Sequence, residues 1–311
     1  MICTLTINPA IDRLLYIGEL KLNNTNRIKE VCDVLGGKGT HVSVNLDILN
    51  CPNRAYGIIL GENGLKIEAM MKNSKNIDTQ FLHYNEGESR LNYAVISENG
   101  SCTLYTEEGA MLPKKICEEL VDRLNATLQD GDYLVLSGDA SNTEIPNIYN
   151  YILDRLSDKK IKVFLDTSSK GLTEGIKKKP FLIKPNLDEL SQLMERDIKT
   201  EKEIIEAMCE IASEGIECVA VSCGEDGSYA SYRGELYKVY PLDINVVNTI
   251  GCGDAYLCGL VYGFYKNMEF EEILRYAAAI SSAAAEVNVT VGYNLNRAMV
   301  LKSQVKVERL N

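Results

Sequence analysis

Short apolar, β-branched runs alternate with segments whose apolar residues recur every three or four positions. Residues 2–7, 55–60, 133–137, 162–166, 181–184 and 218–222 read as strands. Residues 39–49, 114–128, 144–156, 187–194 and 201–213 read as helices. Strands alternating with helices at this spacing predict a mostly parallel sheet covered on both faces. Two stretches, 13–35 and 81–106, break the alternation and read as strands with no helix between them. Glu98-Asn99-Gly100 marks a hairpin in the second. They form either a small sheet able to close over a site or a pair of surface hairpins. Beyond Gly253 the pattern is nearly all helical, and Gly259 and Gly263, four apart, permit close packing. No Pro/Gly/Ser-rich junction, repeat or low-complexity tract divides the chain.

Composition narrows the function classes. The 311 residues are 45% hydrophobic and 25% charged, ordinary values for a soluble globular protein. A net charge of -11 argues against nucleic acid or an anionic membrane as the main partner, but leaves room for a local basic pocket. No apolar run nears the roughly 20 residues of a membrane helix. The start lacks a basic n-region and runs straight into a strand, so a cytoplasmic protein without a secretory signal is expected. Ten cysteines include no Cys-x-x-Cys pair and there are only two histidines, so reduced thiols and no zinc site are expected.

The most informative stretch is Asn248-Thr249-Ile250-Gly251-Cys252-Gly253-Asp254. Glycines let backbone N–H groups close on an anion, and the following helix N-terminus adds positive charge. An aspartate in that cradle repels a bound anion. It makes sense as a base that strips a proton from a hydroxyl about to attack a phosphoryl group. The same residue also reads as a plain helix N-cap. Gly36-Gly37-Lys38-Gly39-Thr40-His41 lacks the Walker spacing but sets a lysine among glycines at a helix start, where an anion is favoured. Asn186 and Glu189, after Lys184, form a capping-box pattern whose oxygens could also lie near a hydrated Mg²⁺. Ser222, Gly224 and Gly227 follow a strand end, where ligands of open α/β sheets bind. Asp12 follows the first strand, and Arg27 and Arg90 fall in the two helix-free stretches.

In this order, these motifs resemble the ribokinase-like carbohydrate kinases of phosphofructokinase-B type. Thr6-Ile7-Asn8-Pro9-Ala10-Ile11-Asp12 and Gly36-Gly37-Lys38-Gly39 are similar to the branch holding 1-phosphofructokinase and tagatose-6-phosphate kinase. The resemblance implies a three-layer αβα core (1–12, 36–80 and 107–311) with a small β-sheet lid (13–35 and 81–106). It implies Asp254 as catalytic base and Gly251, Cys252 and Gly253 as the anion hole. Asp12, Gly37 and His41 would meet the sugar, and Lys38, Arg27 and Arg90 its phosphate. Lys184, Asn186, Ser222, Gly224, Gly227 and Thr249 would lie along ATP, and Glu189 with Asn186 would act on Mg²⁺ through water. Pairing of lids would make a homodimer.

Two positions depart from that branch. His41 stands where an asparagine is usual, bringing a charge that depends on pH. Asp139 adds a carboxylate in Ser137-Gly138-Asp139-Ala140-Ser141. The expected reaction is ATP-dependent phosphorylation of a sugar phosphate, fructose 1-phosphate first. Tagatose 6-phosphate, an unphosphorylated sugar or nucleoside, and a non-catalytic sugar-phosphate sensor are the alternatives.

Overall fold

The computed structural model describes residues 1–310. In chain order the first elements are β1 (Ile2–Thr6), β2 (Ala10–Ile17), β3 (Ile28–Gly36), α1 (Lys38–Ile48), β4 (Asn53–Leu60) and α2 (Gly61–Lys72). Next come β5 (Ile77–Tyr84), β6 (Arg90–Ser97), β7 (Cys102–Thr106), α3 (Lys114–Thr127), β8 (Tyr133–Ser137) and α4 (Ile148–Arg155). Then follow β9 (Lys162–Asp166), α5 (Ser169–Gly175), β10 (Leu182–Ile183), α6 (Leu187–Leu193), α7 (Glu201–Ser213) and β11 (Cys218–Ser222). The chain ends with β12 (Ser228–Tyr232), β13 (Glu235–Val239), α8 (Cys252–Tyr265), α9 (Phe270–Ala285), α10 (Leu295–Lys302) and β14 (Val307–Leu310).

Ten strands form one sheet in the order β14-β13-β12-β11-β10-β9-β8-β1-β4-β5. Pairings from β5 to β11 are parallel, and β12 to β14 add an antiparallel edge. Side chains alternate across a strand, so a strand apolar at every position must bury both faces. Leu134 and Leu136 of β8, with Leu165 of β9, face a core under α3, α4 and α7. Tyr133, Val135 and Phe164 face the opposite core under α1, α8 and α9. The result is the expected three-layer α/β arrangement.

The second sheet has the order β3-β2-β6-β7. Its register sets Asp12 beside Asn92, and Asn92 beside Thr106, in one row facing the main sheet's open end. Two expected boundaries move. Residues 81–84 belong to β5, because Phe81 and Leu82 are buried where β5 pairs with β4. Residues 10–12 belong to β2 in the smaller sheet. The helix expected from 144 starts at Ile148, after Pro146 and a left-handed Asn147 (φ 51°). The strand expected over 181–184 contracts to Leu182–Ile183, between Pro180 and Pro185.

Candidate active site

A cavity of about 1130 Å³ opens where the smaller sheet overhangs the carboxyl ends of the parallel strands. Asp254 lies at its floor in the first turn of α8, only 6% exposed. Gly251 caps that helix with φ 80°, and a Cβ there would sit 2.0 Å from the Thr290 carbonyl oxygen, so only glycine fits. The Cys252 amide donates to the Thr249 carbonyl at 3.3 Å, which occupies one of the three expected anion donors. The Gly251 and Gly253 amides have no such partner among the described residues and remain free for an anion. Burial, with Asp254 adding, pushes the Cys252 thiol up to about 11.

His41, on α1, is 4% exposed and lines the same cavity. Its Nδ1 lies 2.6 Å from Asp254 Oδ2, and its Nε2 donates to the Leu35 carbonyl at 2.9 Å. Both ring nitrogens are therefore engaged by protein, and the expected sugar contact gives way to a contact with Asp254. Burial favours the neutral ring, but the Asp254 hydrogen bond and charge outweigh it, and the imidazole pKa rises above 6.5. Asp254 Oδ1 has no partner among the described residues and is open to the cavity.

Lys184 is 5% exposed at the end of β10, its Nζ 3.3 Å from Asp166 Oδ1. Lys38 Nζ approaches the same oxygen at 3.8 Å. Burial alone would raise the Asp166 carboxyl; the Lys184 and Lys38 ammoniums outweigh it and hold its pKa below the ordinary 3.8. Asp166 in turn raises Lys38 against the effect of burial. Two ammoniums on one carboxylate leave a net positive centre. A Cβ at Gly253 would lie 3.4 Å from Lys184 Nζ, which puts that charge beside the glycine turn.

Asn186 caps α6 and forms the full capping box: Oδ1 accepts from the Glu189 amide at 2.8 Å, and Glu189 Oε2 accepts from the Asn186 amide at 2.9 Å. That box fixes Glu189 on the cavity wall. Ser222, Gly224, Gly227 and Thr249 line the same side. On the opposite side Asp12 Oδ1 accepts from Asn92 Nδ2 at 2.7 Å, and Gly37 lines the floor. Arg90 reaches the cavity and donates to the Asn8 and Glu107 carbonyls at 3.4 and 3.2 Å. Asp139 also lines it, but its oxygens accept from the Ser141 amide and hydroxyl at 3.2 and 2.7 Å. Arg27 is exposed in the connection after β2 and lies outside the lining.

Sequence reading missed Asp166, Asn92 and the apolar stretch around Leu242, Ile244 and Val246, all at the cavity or its floor. Asp166 ended a recognised strand and could have been flagged by position. In the 241–246 stretch Leu242, Ile244 and Val246 alternate with Asp243 and Asn245, a strand-like period, but the segment pairs with no strand.

Residues 6–292 match the pfkB family carbohydrate kinases. The chain belongs to that family. It is 30% identical over 292 residues to the 1-phosphofructokinase of Haemophilus influenzae, covering 93% of each chain. It superposes on phosphofructokinase-2 of Escherichia coli in complex with potassium with a TM-score of 0.91 at 22% identity, covering 97% and 98%. The same enzyme in complex with fructose-6-phosphate gives 0.89 at 21%, with the same coverage. This pfkB kinase is an ATP-dependent carbohydrate kinase. Among the described residues no helix is long and apolar enough to cross a membrane.

Proposed function

We propose that this pfkB kinase transfers the γ-phosphoryl group of ATP to fructose 1-phosphate, giving fructose 1,6-bisphosphate and ADP, in the cytoplasm. The observation that carries the reading is Asp254 Oδ1, open to the cavity beside two free glycine amides and the Lys184 ammonium. Asp254 takes the proton of the sugar hydroxyl. The oxygen's electron pair forms a bond to the γ-phosphorus as the bond to the β-phosphate oxygen breaks and ADP leaves. Gly251, Gly253 and Lys184 receive the developing negative charge.

Asp12 and Asn92 hold the sugar's hydroxyls, and Lys38 and Arg90 face its phosphate. Ser222, Gly224, Gly227 and Thr249 border the nucleotide, with the apolar 241–246 stretch against the base. Glu189 Oε1 has no hydrogen-bond partner among the described residues and suits a water-mediated Mg²⁺, whose bound charge would offset that of the phosphates. Sequence similarity to the Haemophilus influenzae 1-phosphofructokinase supports the choice of acceptor. Ile28, Val31, Leu104 and Tyr105 are more than half exposed on the smaller sheet, which supports a homodimer through it.

The test is ADP release from MgATP with fructose 1-phosphate, tagatose 6-phosphate, fructose 6-phosphate and free fructose. Turnover highest with fructose 1-phosphate is expected, and turnover only with unphosphorylated sugars overturns the reading. Asp254→Asn should lose at least ~100-fold in kcat while ATP still binds. Near-normal kcat in that variant removes the base.

A further inference from the structure

The proton shared by His41 and Asp254 is fixed by its surroundings. The Leu35 carbonyl has no proton to give, so His41 Nε2 carries one. The 2.6 Å contact between Nδ1 and Asp254 Oδ2 contains a second, which belongs to the pair rather than to either residue. Charged groups act on the ring from two elements besides its own. Asp254 comes from α8, and Asp12 from β2 sits with Oδ2 3.7 Å from Nε2. On α1 itself, Lys38 directs its ammonium to Asp166. β3 contributes only the Leu35 carbonyl.

We propose that His41 is a positioning residue for Asp254: it stores the pair's proton, and the base works once that proton has left. The inference rests on the assignment of Asp254 as the base. A pair that has given up its proton regains one from the sugar hydroxyl at the cavity-facing oxygen of Asp254, and a half-turn of the carboxyl brings that proton to Nδ1 and restores the arrangement seen here. The hydroxyl O–H bond breaks, the proton enters the pair, and the oxygen's electrons go to the γ-phosphorus. A pair already holding its proton must take another. That leaves an imidazolium buried beside an uncharged carboxyl, a form burial disfavours strongly. Activity therefore falls as the pH drops below the pair's pKa, which lies above 6.5 because of the Asp254 contact.

The test compares kcat/KM against pH for the wild type and His41→Asn. The substrates are saturating MgATP and whichever sugar phosphate the panel above turns over. Asparagine stores no proton, and substrate ionisation is common to both proteins, so their ratio isolates the pair. The wild-type to variant ratio should rise about tenfold for each pH unit up to the pair's pKa and then level. A constant ratio from acid to alkaline pH overturns the proposal. A second measurement covers a poorly folded variant. With His83→Gln, His41 is the only histidine, and its imidazole ¹⁵N–¹H NMR signals report one ring. That ring should titrate above 6.5, and Asp254→Asn should lower its pKa, since burial is then opposed mainly by Asp12. A ring whose titration ignores Asp254→Asn overturns the proposal even if that variant is inactive; an active Asp254→Asn enzyme instead removes the base.

Discussion

A buried carboxylate answering to two ammoniums makes Asp166 a structural and an electrostatic hinge of the cleft. Replacing it with alanine strands the buried Lys184 without a counter-charge. Breaking a buried pair on one side costs about 3–5 kcal/mol. Asp166→Ala should lose stability of that order in urea unfolding, and millimolar inorganic phosphate should restore part of it by binding the folded form. An unchanged midpoint would mean that Lys184 escapes to water. The His41 pair has its own linkage. Folding raises the ring's pKa above 6.5, so its stabilisation is complete below that value and is lost as pH climbs through the folded-state pKa. The melting temperature of the unliganded wild type should therefore decline across that window more than that of His41→Asn.

At the scale of elements, α8 and α9 show what the sequence made legible. Gly259 and Gly263 were read as a close-packing face. A Cβ at Gly259 would lie 2.4 Å from Ala277 Cα, backbone that cannot step aside. Alanine gains about 1 kcal/mol of helix propensity there, yet the overpacking costs about 1–3 kcal/mol and moves α9. Gly259→Ala should lower the melting temperature, and a rise would show that the helices separate freely. Buried strands were legible for a related reason: Tyr133–Ser137 and Cys218–Ser222 are apolar at nearly every position because both faces are covered. The edge strand Ile77–Tyr84 was not, since Asp78, Thr79 and Gln80 give it a half-solvated pattern. Helix Gly61–Lys72 was not assigned, since Gly61 and Gly64 weaken its helical propensity, although Gly64 is there to pass Ile59 closely. Site motifs at helix starts were legible, because glycine and capping chemistry are local. Contacts between distant segments were not: His41 and Asp254 are 213 residues apart.

On the scale of the molecule, the smaller sheet is the wall most able to tune acceptor binding. Its outermost strand, β7, is exposed at every residue, yet it supplies Leu104 and Thr106 to the cavity. A strand at a free edge, with few buried contacts, opens locally at low cost. In the proposed dimer the second copy clamps that edge and preorganises the wall. Register puts Leu104 on the cavity face, in the row of Leu14 and Ala94, and Val31 on the reverse face beside Leu15. Leu104→Glu and Val31→Glu therefore probe the two faces separately by sedimentation velocity. At least one should yield monomers, and that monomer should show a raised KM for the sugar phosphate with KM for ATP unchanged, because the proposed nucleotide side is built on the main sheet. A dimer that survives both substitutions moves the interface away from the small sheet. Monomers with unaltered KM would leave the dimer intact as an idea but strip β7 of its proposed effect on the acceptor.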